Sequence, residues 1–78
     1  MIFSSSMKLG KYKHYKGKLY EVIAIARLES TMEKMAVYKA LYDTSDLGKN
    51  PIFVIPLNEF EEKVEIDGKI VSRFEFVG

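Results

Sequence analysis

The chain has 78 residues with a formal net charge of +1, and 47% of its residues are hydrophobic. This length supports one small folded domain, and the charge excludes a strongly basic nucleic-acid-binding protein on composition alone. Because the chain has no cysteine, disulfides and thiolate metal sites are excluded, which favours a reducing compartment.

The N-terminus has neither the basic start nor the apolar run of a secretory signal. No apolar run in the chain approaches the roughly 18 residues that span a membrane. We therefore expect a cytoplasmic protein that does not associate with membranes. Residues 1–9 are predicted to be a flexible tail, and residues 10–78 a single domain.

The opening of the domain predicts a hairpin with a short strand from Lys11 to His14 and a turn closed by Gly17. A long strand follows from Lys18 to about Leu28. A buried helix over the same residues is the alternative, but the β-branched and aromatic residues and the missing helix cap disfavour it.

The long strand is apolar on both faces, as expected of a strand that bends between two layers in a small barrel. Strict alternation places two sets of apolar side chains on opposite faces: Tyr20, Val22, Ala24, Ala26 and Leu28 on one, and Leu19, Ile23 and Ile25 on the other.

The rest of the chain predicts further short strands and one helical turn. In chain order these are a polar loop at 29–34, a strand Met35–Tyr42, a loop Asp43–Pro51, a strand Ile52–Ile55 ended by Pro56, a turn Glu59–Glu62 capped by Asn58 with Phe60 inward, and a closing hairpin Val64–Ile66 and Ile70–Val77 around Asp67-Gly68. We expect Phe74 and Phe76 to share the inner face of the closing strand.

A set of residues spread over most of the domain forms a recognisable pattern: Gly10, Tyr12, His14, Tyr15, Lys16, Gly17, Tyr20, Val22, Val37, Tyr38, Leu41, Tyr42, Pro56, Leu57, Phe60, Val64, Asp67, Gly68, Arg73 and Phe74. With this pattern the sequence resembles a bacterial family known as domain of unknown function 1653. The resemblance implies an SH3-like barrel and no established activity. The predicted fold is therefore an all-β, small SH3-like antiparallel barrel of five or six strands with one short helical turn.

The chain departs from the family at four positions. Relatives often carry histidine at Leu28, tryptophan at Phe53, arginine at Ile55 and proline at Ser72. The loss of that histidine and arginine weakens any shared polar site.

Catalytic and metal-binding patterns are not evident. His14 is the only histidine and has no second ligand at metal spacing, so it is either a functional group or a half-buried packing residue. No glycine-rich phosphate loop is present. A cluster of acidic residues either binds a cation or forms a solvated turn; its members are Glu59, Glu61, Glu62 and Glu65. No catalytic residue, metal site or cofactor is predicted.

Charge is unevenly distributed, with a net +5 in residues 1–27 and −4 in residues 28–78. Two explanations are open. The first and last strands attract each other, or the basic residues form a positive patch that binds an anionic partner. Five tyrosines are many for so short a chain. Aromatic faces beside lysines are typical of surfaces that bind single-stranded nucleic acid or proline-rich peptides, although a small core also needs large side chains.

We therefore predict a non-catalytic binding or interaction module whose partner is an anionic ligand, a nucleic acid, a nucleotide, a peptide or another protein. The predicted ligand-binding residues are Tyr12, His14, Tyr15, Lys16, Tyr20 and Arg73. One alternative is a small enzyme or nucleotide-binding accessory that uses His14. Another is a structural homodimer formed through an unpaired edge strand or the apolar region Ile52–Ile55.

Overall fold

The computed structural model describes residues 7–78, which form seven β-strands and one helical turn. In chain order these are β1 Gly10–His14, β2 Leu19–Leu28, β3 Glu33–Ala40, β4 Ile52–Pro56, α1 Leu57–Phe60, β5 Lys63–Ile66, β6 Lys69–Ser72 and β7 Phe74–Phe76. The strand pairings are antiparallel, which confirms the predicted all-β class with its short helical turn. Residues 1–6 of the predicted tail lie outside the described residues.

The strands form two sheets. Five pair in the order β4-β3-β2-β1-β7, and β5 pairs with β6. The strand count exceeds the predicted five or six because the expected strand Ile70–Val77 is interrupted at Arg73. There the Arg73 N–H donates to the Glu62 carbonyl and the Arg73 carbonyl accepts from the Tyr15 N–H, both at 3.0 Å. Within residues 7–78, the SH3-like arrangement is therefore open, without one closed hydrogen-bonded ladder.

Two residues of the predicted tail, Met7 and Lys8, contact the domain. Met7 packs against the core, and the Lys8 carbonyl accepts a hydrogen bond from the Tyr12 hydroxyl at 2.7 Å. The Lys8 ammonium also lies 5.3 Å from the centre of the Phe76 ring. These contacts connect the start of the described chain to β1 and β7.

The long strand β2 is confirmed as a strand, but it contains a β-bulge that the sequence did not predict. Val22 is paired with Tyr38, whereas Ala24 is paired with Val37, so Ile23 is the extra residue. An extra residue reverses the alternation of side chains beyond it. Tyr20 and Val22 therefore share the core face with Ile25, while Ala24, Ala26 and Leu28 lie on the outer face. The predicted grouping of these alanines with Val22 is wrong.

The expectation that β2 is buried on both faces for part of its length is also wrong, because Val22 is the one buried residue of this strand. Ile23, Ile25 and Leu28 are 40%, 39% and 44% exposed, whereas Val22 is 1% exposed. Because Ile25 lies on the core face and Leu28 on the outer face, residues 7–78 leave both faces of β2 partly uncovered beyond Val22.

The core lies on the inner face and is largely aromatic. Phe60 and Phe74 stack with ring centres 4.1 Å apart and planes within 3° of parallel. The Tyr12 ring meets the edge of Phe60 at 5.2 Å, and Phe76 lies 5.3 Å from Tyr12. Phe74 is buried, as expected of the closing strand, whereas Phe76 is 40% exposed because it lies near the end of the edge strand β7.

The helical turn begins two residues earlier than predicted, at Leu57. Pro56 ends β4 and also precedes α1, with φ of −53° and ψ of 137°. No side chain caps the turn, so the predicted Asn58 cap is wrong: Asn58 is already helical. Leu57 and Phe60 are its buried residues, which confirms Phe60 as the inward anchor. Nothing helical in residues 7–78 is long and apolar enough to cross a membrane.

The predicted Asp67-Gly68 turn is confirmed between β5 and β6. Asp67 and Gly68 have φ values of 51° and 79°, the left-handed pair of conformations that a two-residue hairpin turn requires. The turn sets the register of the hairpin, with Ile66 opposite Lys69. Glu62 at one end of this hairpin and Arg73 at the other are thereby held close together.

The core position of Phe74 predicts that Phe74→Ala lowers the free energy of unfolding by about 3–5 kcal/mol, because the cavity left beside Phe60 cannot be refilled. Urea denaturation monitored by circular dichroism measures this loss. Ile70→Ala is the matched control: Ile70 is an apolar strand residue that is 64% exposed, and its substitution should change stability by less than ~0.5 kcal/mol. Equal effects of the two variants would contradict the core assignment.

Candidate ligand-binding site

The candidate site lies at the turn between β1 and β2. Two backbone hydrogen bonds close the turn: the His14 N–H donates to the Lys18 carbonyl at 2.8 Å, and the Gly17 N–H donates to the His14 carbonyl at 2.7 Å. Gly17 has a φ of 105°, which a residue with a side chain rarely adopts. The Tyr15 N–H donates to the Arg73 carbonyl at 3.0 Å, which attaches the turn to the segment between β6 and β7.

The His14 ring is held between two aromatic rings. It stacks on Tyr15 with ring centres 4.5 Å apart, and it lies nearly perpendicular to the Phe74 ring with centres 4.9 Å apart. Its Nδ1 accepts a hydrogen bond from the Lys16 N–H at 3.1 Å. Because Nδ1 is the acceptor, the proton of the neutral ring lies on Nε2. Burial lowers the pKa of His14 from its ordinary value of 6.5, and the charges of Arg73 and Lys16 lower it further.

Arg73 is anchored next to this ring. Its Nη1 donates to Glu62 Oε1 at 3.1 Å in an ion pair. Its Nε is buried and has no hydrogen-bond partner among residues 7–78. Burial raises the pKa of Tyr38, and the Arg73 charge opposes that rise, as it also lowers the pKa of His14. Arg73 therefore adds positive charge to the region between His14 and the tyrosines.

A group of tyrosines continues the aromatic surface beyond His14. The hydroxyl oxygens of Tyr20 and Tyr42 are 2.7 Å apart and share a hydrogen bond. The Tyr20 ring lies 6.3 Å from His14 and 5.4 Å from Tyr38. Burial raises the pKa of Tyr20, and its bond to Tyr42 raises that pKa further. The Tyr20 hydroxyl is therefore protonated at neutral pH.

Tyr38 and Tyr42 also adjoin the site, although they are not among the predicted site residues. The signal that identifies them is the pairing of Tyr20 with Ala40 across β2 and β3. Tyr38 and Tyr42 lie two residues on either side of Ala40, on the same face and diagonally opposite Tyr20. The small, fully buried Ala40 leaves space for the three rings to meet.

Most of the predicted site residues adjoin this turn: His14, Tyr15, Lys16, Tyr20 and Arg73. Tyr12 lies in the core instead, where its ring packs on Phe60 and its hydroxyl donates to the Lys8 carbonyl. Burial raises the pKa of Tyr12. The Tyr12 side chain supports the sheet and presents no open ring face at the turn.

The turn also carries lysines next to aromatic rings. Lys16 Nζ lies 5.9 Å from the centre of the Tyr15 ring, and Lys18 Nζ lies 4.7 Å from that of Tyr42. The ion pairs formed among residues 7–78 involve other cations. Lys16 and Lys18 are therefore not neutralised by ion pairs with acidic side chains of other strands among residues 7–78.

A cavity of about 320 Å³ opens beside the turn, between β1 and the β5–β6 hairpin. Its lining is mixed in polarity and consists of Lys13, His14, Tyr15, Ile66, Val71, Ser72 and Glu75. The volume is at the lower end of the ~300–1,000 Å³ range of small-molecule sites. His14 and Tyr15 are on its wall.

A second cavity of about 390 Å³ lies elsewhere, near the start of β3 and α1. Its lining includes Glu33, Lys34, Asn58 and Glu61, but none of the predicted site residues. Within residues 7–78, no three or more histidine, aspartate or glutamate side chains are grouped so as to hold a metal ion. The turn is therefore the part of the described chain that combines a cavity, exposed aromatic surface and positive charge.

Comparison with known proteins assigns the chain to a family. The family described as "Protein of unknown function (DUF1653)" matches residues 10–76. The chain belongs to this family. It is similar to a DUF1653 protein from Bordetella bronchiseptica known from a crystal structure, with 32% identity and a TM-score of 0.83 over 94% of this chain and 90% of that chain. The search of curated proteins found no match.

The environment of His14 in this DUF1653 domain predicts a depressed titration midpoint. Because His14 is the only histidine, a proton NMR titration of its ring reports one site, and we expect a pKa below 6.5. Lys16→Gln should raise that pKa, because it removes a nearby positive charge. Lys34→Gln at the other end of β2 and β3 is the control and should leave it unchanged. A midpoint above 6.5 would contradict the described environment.

The same shift predicts a dependence of stability on pH. Since the folded-state pKa of His14 is lower than the unfolded-state value, the unfolded chain binds the proton first as pH falls. The free energy of unfolding should therefore decrease as pH drops from about 6.5 to the folded-state pKa. Urea denaturation at a series of pH values measures this slope, and His14→Gln should make it shallower. An unchanged slope in that variant would contradict the prediction.

Proposed function

We propose that this DUF1653 domain is a non-catalytic module that binds single-stranded nucleic acid at the β1–β2 turn. The observation that carries the proposal is Tyr15, a residue that is 39% exposed and whose ring stacks on His14 beside Lys16. A nucleobase can stack on an exposed aromatic ring, while neighbouring lysines neutralise the phosphates that flank it.

The charge near the turn supports an anionic ligand. Lys16 and Lys18 extend from the turn itself, and Lys13 lines the adjoining cavity. Neither Lys16 nor Lys18 forms an ion pair with residues 7–78, so both can exchange bound counterions for phosphates. The overall charge of +1 implies modest affinity, because few cations contribute. A cytoplasmic location, favoured by the absence of cysteine, is part of this proposal.

The state of His14 favours binding over catalysis. Its Nδ1 is occupied by the Lys16 N–H, and the Nε2 of the neutral ring carries the proton. The neutral ring is therefore suited to donate a hydrogen bond to a ligand oxygen, whereas a general base needs a nitrogen that can accept a proton. An enzyme that uses His14 as its base would have to break the bond to Lys16 first.

The proposal predicts that a labelled oligothymidylate of roughly 10 nucleotides binds with an affinity that falls as salt rises, measured by fluorescence anisotropy. Tyr15→Ala should weaken binding by ~1–3 kcal/mol without changing the salt dependence, because it removes a stacking ring and no charge. Its backbone bond to Arg73 is retained. The double substitution Lys16→Ala and Lys18→Ala should make the slope of log K against log salt shallower by about 1.4.

Lys34→Ala is the matched control for the lysine variants. Lys34 lies at the far end of β2 and β3, on the order of 30 Å from the turn, and carries the same charge. Its removal should leave the affinity nearly unchanged. Phosphate binding at the turn would be contradicted if Lys34→Ala lowered the affinity as much as Tyr15→Ala and the double lysine variant do. An affinity that does not depend on salt would also contradict it. Binding of a proline-rich peptide in place of the oligonucleotide would instead assign a peptide-binding function.

A further inference from the structure

We infer that β4 is a dimerisation strand, which pairs with β4 of a second copy of this chain in an antiparallel, two-fold arrangement centred on Val54. β4 is an edge of the five-stranded sheet, with β3 on one side and no strand of residues 7–78 on the other. It contains no charged residue, and Ile52 and Val54 are each 60% exposed. Sheet edges are usually protected from such pairing by charges, bulges or very short strands.

The register between β3 and β4 identifies which backbone groups face outward. The Ala40 N–H donates to the Pro51 carbonyl at 2.8 Å, so this pair is hydrogen-bonded. Antiparallel ladders alternate hydrogen-bonded and non-hydrogen-bonded pairs, and the register from Lys39–Ile52 to Met35–Pro56 is regular. The backbone groups of Phe53 and Ile55 therefore point toward β3.

The backbone groups of the alternate residues Ile52, Val54 and Pro56 consequently point away from the sheet. Two of these residues have an N–H, and the third is proline, which has none. This pattern is self-complementary about Val54. In an antiparallel pair of β4 strands, each Val54 N–H meets the Val54 carbonyl of the other copy. Each Ile52 N–H meets a Pro56 carbonyl, which as the N-cap carbonyl of α1 shares its oxygen with the helix. Every outward N–H of the strand then has an acceptor.

The side chains are compatible with the same arrangement. Ile52, Val54 and Pro56 lie on one face of the sheet, since their partners in β3 are Lys39, Val37 and Met35. A two-fold axis through the paired strands places Val54 beside Val54 and Ile52 beside Pro56, which buries exposed apolar surface without burying a charge. The opposite edge of the sheet differs: β7 is a three-residue strand with Glu75 at its centre.

The size of the contact determines its strength. Stable dimers bury ~1,200–2,000 Å² in total, and one pair of five-residue strands provides less. The dimer should therefore be weak and should form with increasing concentration. This inference is independent of nucleic-acid binding, since β4 and the β1–β2 turn share no residue.

Sedimentation equilibrium over a concentration range of about 10 µM to 1 mM tests the dimer directly. The average mass of the wild-type chain should rise from 9.0 kDa toward twice that value. Val54→Lys should raise the dissociation constant at least tenfold, because the two-fold axis places two like charges together. Ile70→Lys introduces the same charge at a strand residue that is 64% exposed and should leave the dissociation constant unchanged.

Amide hydrogen exchange of the wild-type chain tests the pairing without a substitution. The Ile52 and Val54 amides should exchange more slowly as concentration increases, while the Phe53 and Ile55 amides stay protected at every concentration. A mass of one chain throughout the range would overturn the inference. A dimer whose Ile52 and Val54 amides exchange at the same rate at every concentration would also overturn it. So would a monomer whose Ile52 and Val54 amides exchange more slowly only after an extended peptide is added.

Discussion

The ring of Phe74 joins the core of the domain to its candidate site. One face stacks on Phe60 with ring centres 4.1 Å apart, and the His14 ring lies nearly perpendicular to Phe74 with ring centres 4.9 Å apart. The rings of Tyr20 and Tyr38 each lie 5.6 Å from Phe74. A domain of this size buries few large side chains, so its aromatic rings serve both stability and the shape of the site. The position of His14 therefore depends on the same contact that holds the sheet against the helical turn.

One extra residue in β2 determines what the two faces of the sheet carry. Before the bulge at Ile23, strict alternation places Tyr20 and Val22 in the core. Beyond it, Ala24 and Ala26 lie on the outer face, paired with residues of β3 that adjoin β4. The apolar character of both faces thus has two causes, a core on one side and a partly uncovered outer surface on the other. A small apolar outer face next to an uncharged edge is compatible with a neighbouring chain.

Local rules were sufficient to predict some parts of this structure and not others. Pro56 and the Asp67-Gly68 pair act through their own backbone geometry, so the strand end and the hairpin turn could be predicted from neighbouring residues alone. The interruption at Arg73 depends on hydrogen bonds to residues distant in sequence, which no local pattern reveals. The candidate site follows the same division: His14 belongs to a contiguous motif, whereas Tyr42 joins it only through strand pairing. The bulge has no local signal because either register presents apolar side chains.

The two proposed surfaces lie in different places on one sheet, so the proposed dimer would carry two separate binding turns. β1 is three strands from β4, or about 14 Å at ~4.8 Å per strand. Two-fold pairing of β4 would leave both β1–β2 turns uncovered and place them at opposite ends of a ten-stranded sheet. A nucleic acid long enough to reach both turns would bind the second one intramolecularly, at a high effective concentration. Modest affinity at each turn would then be sufficient for a long strand, and a short ligand would gain nothing from the dimer.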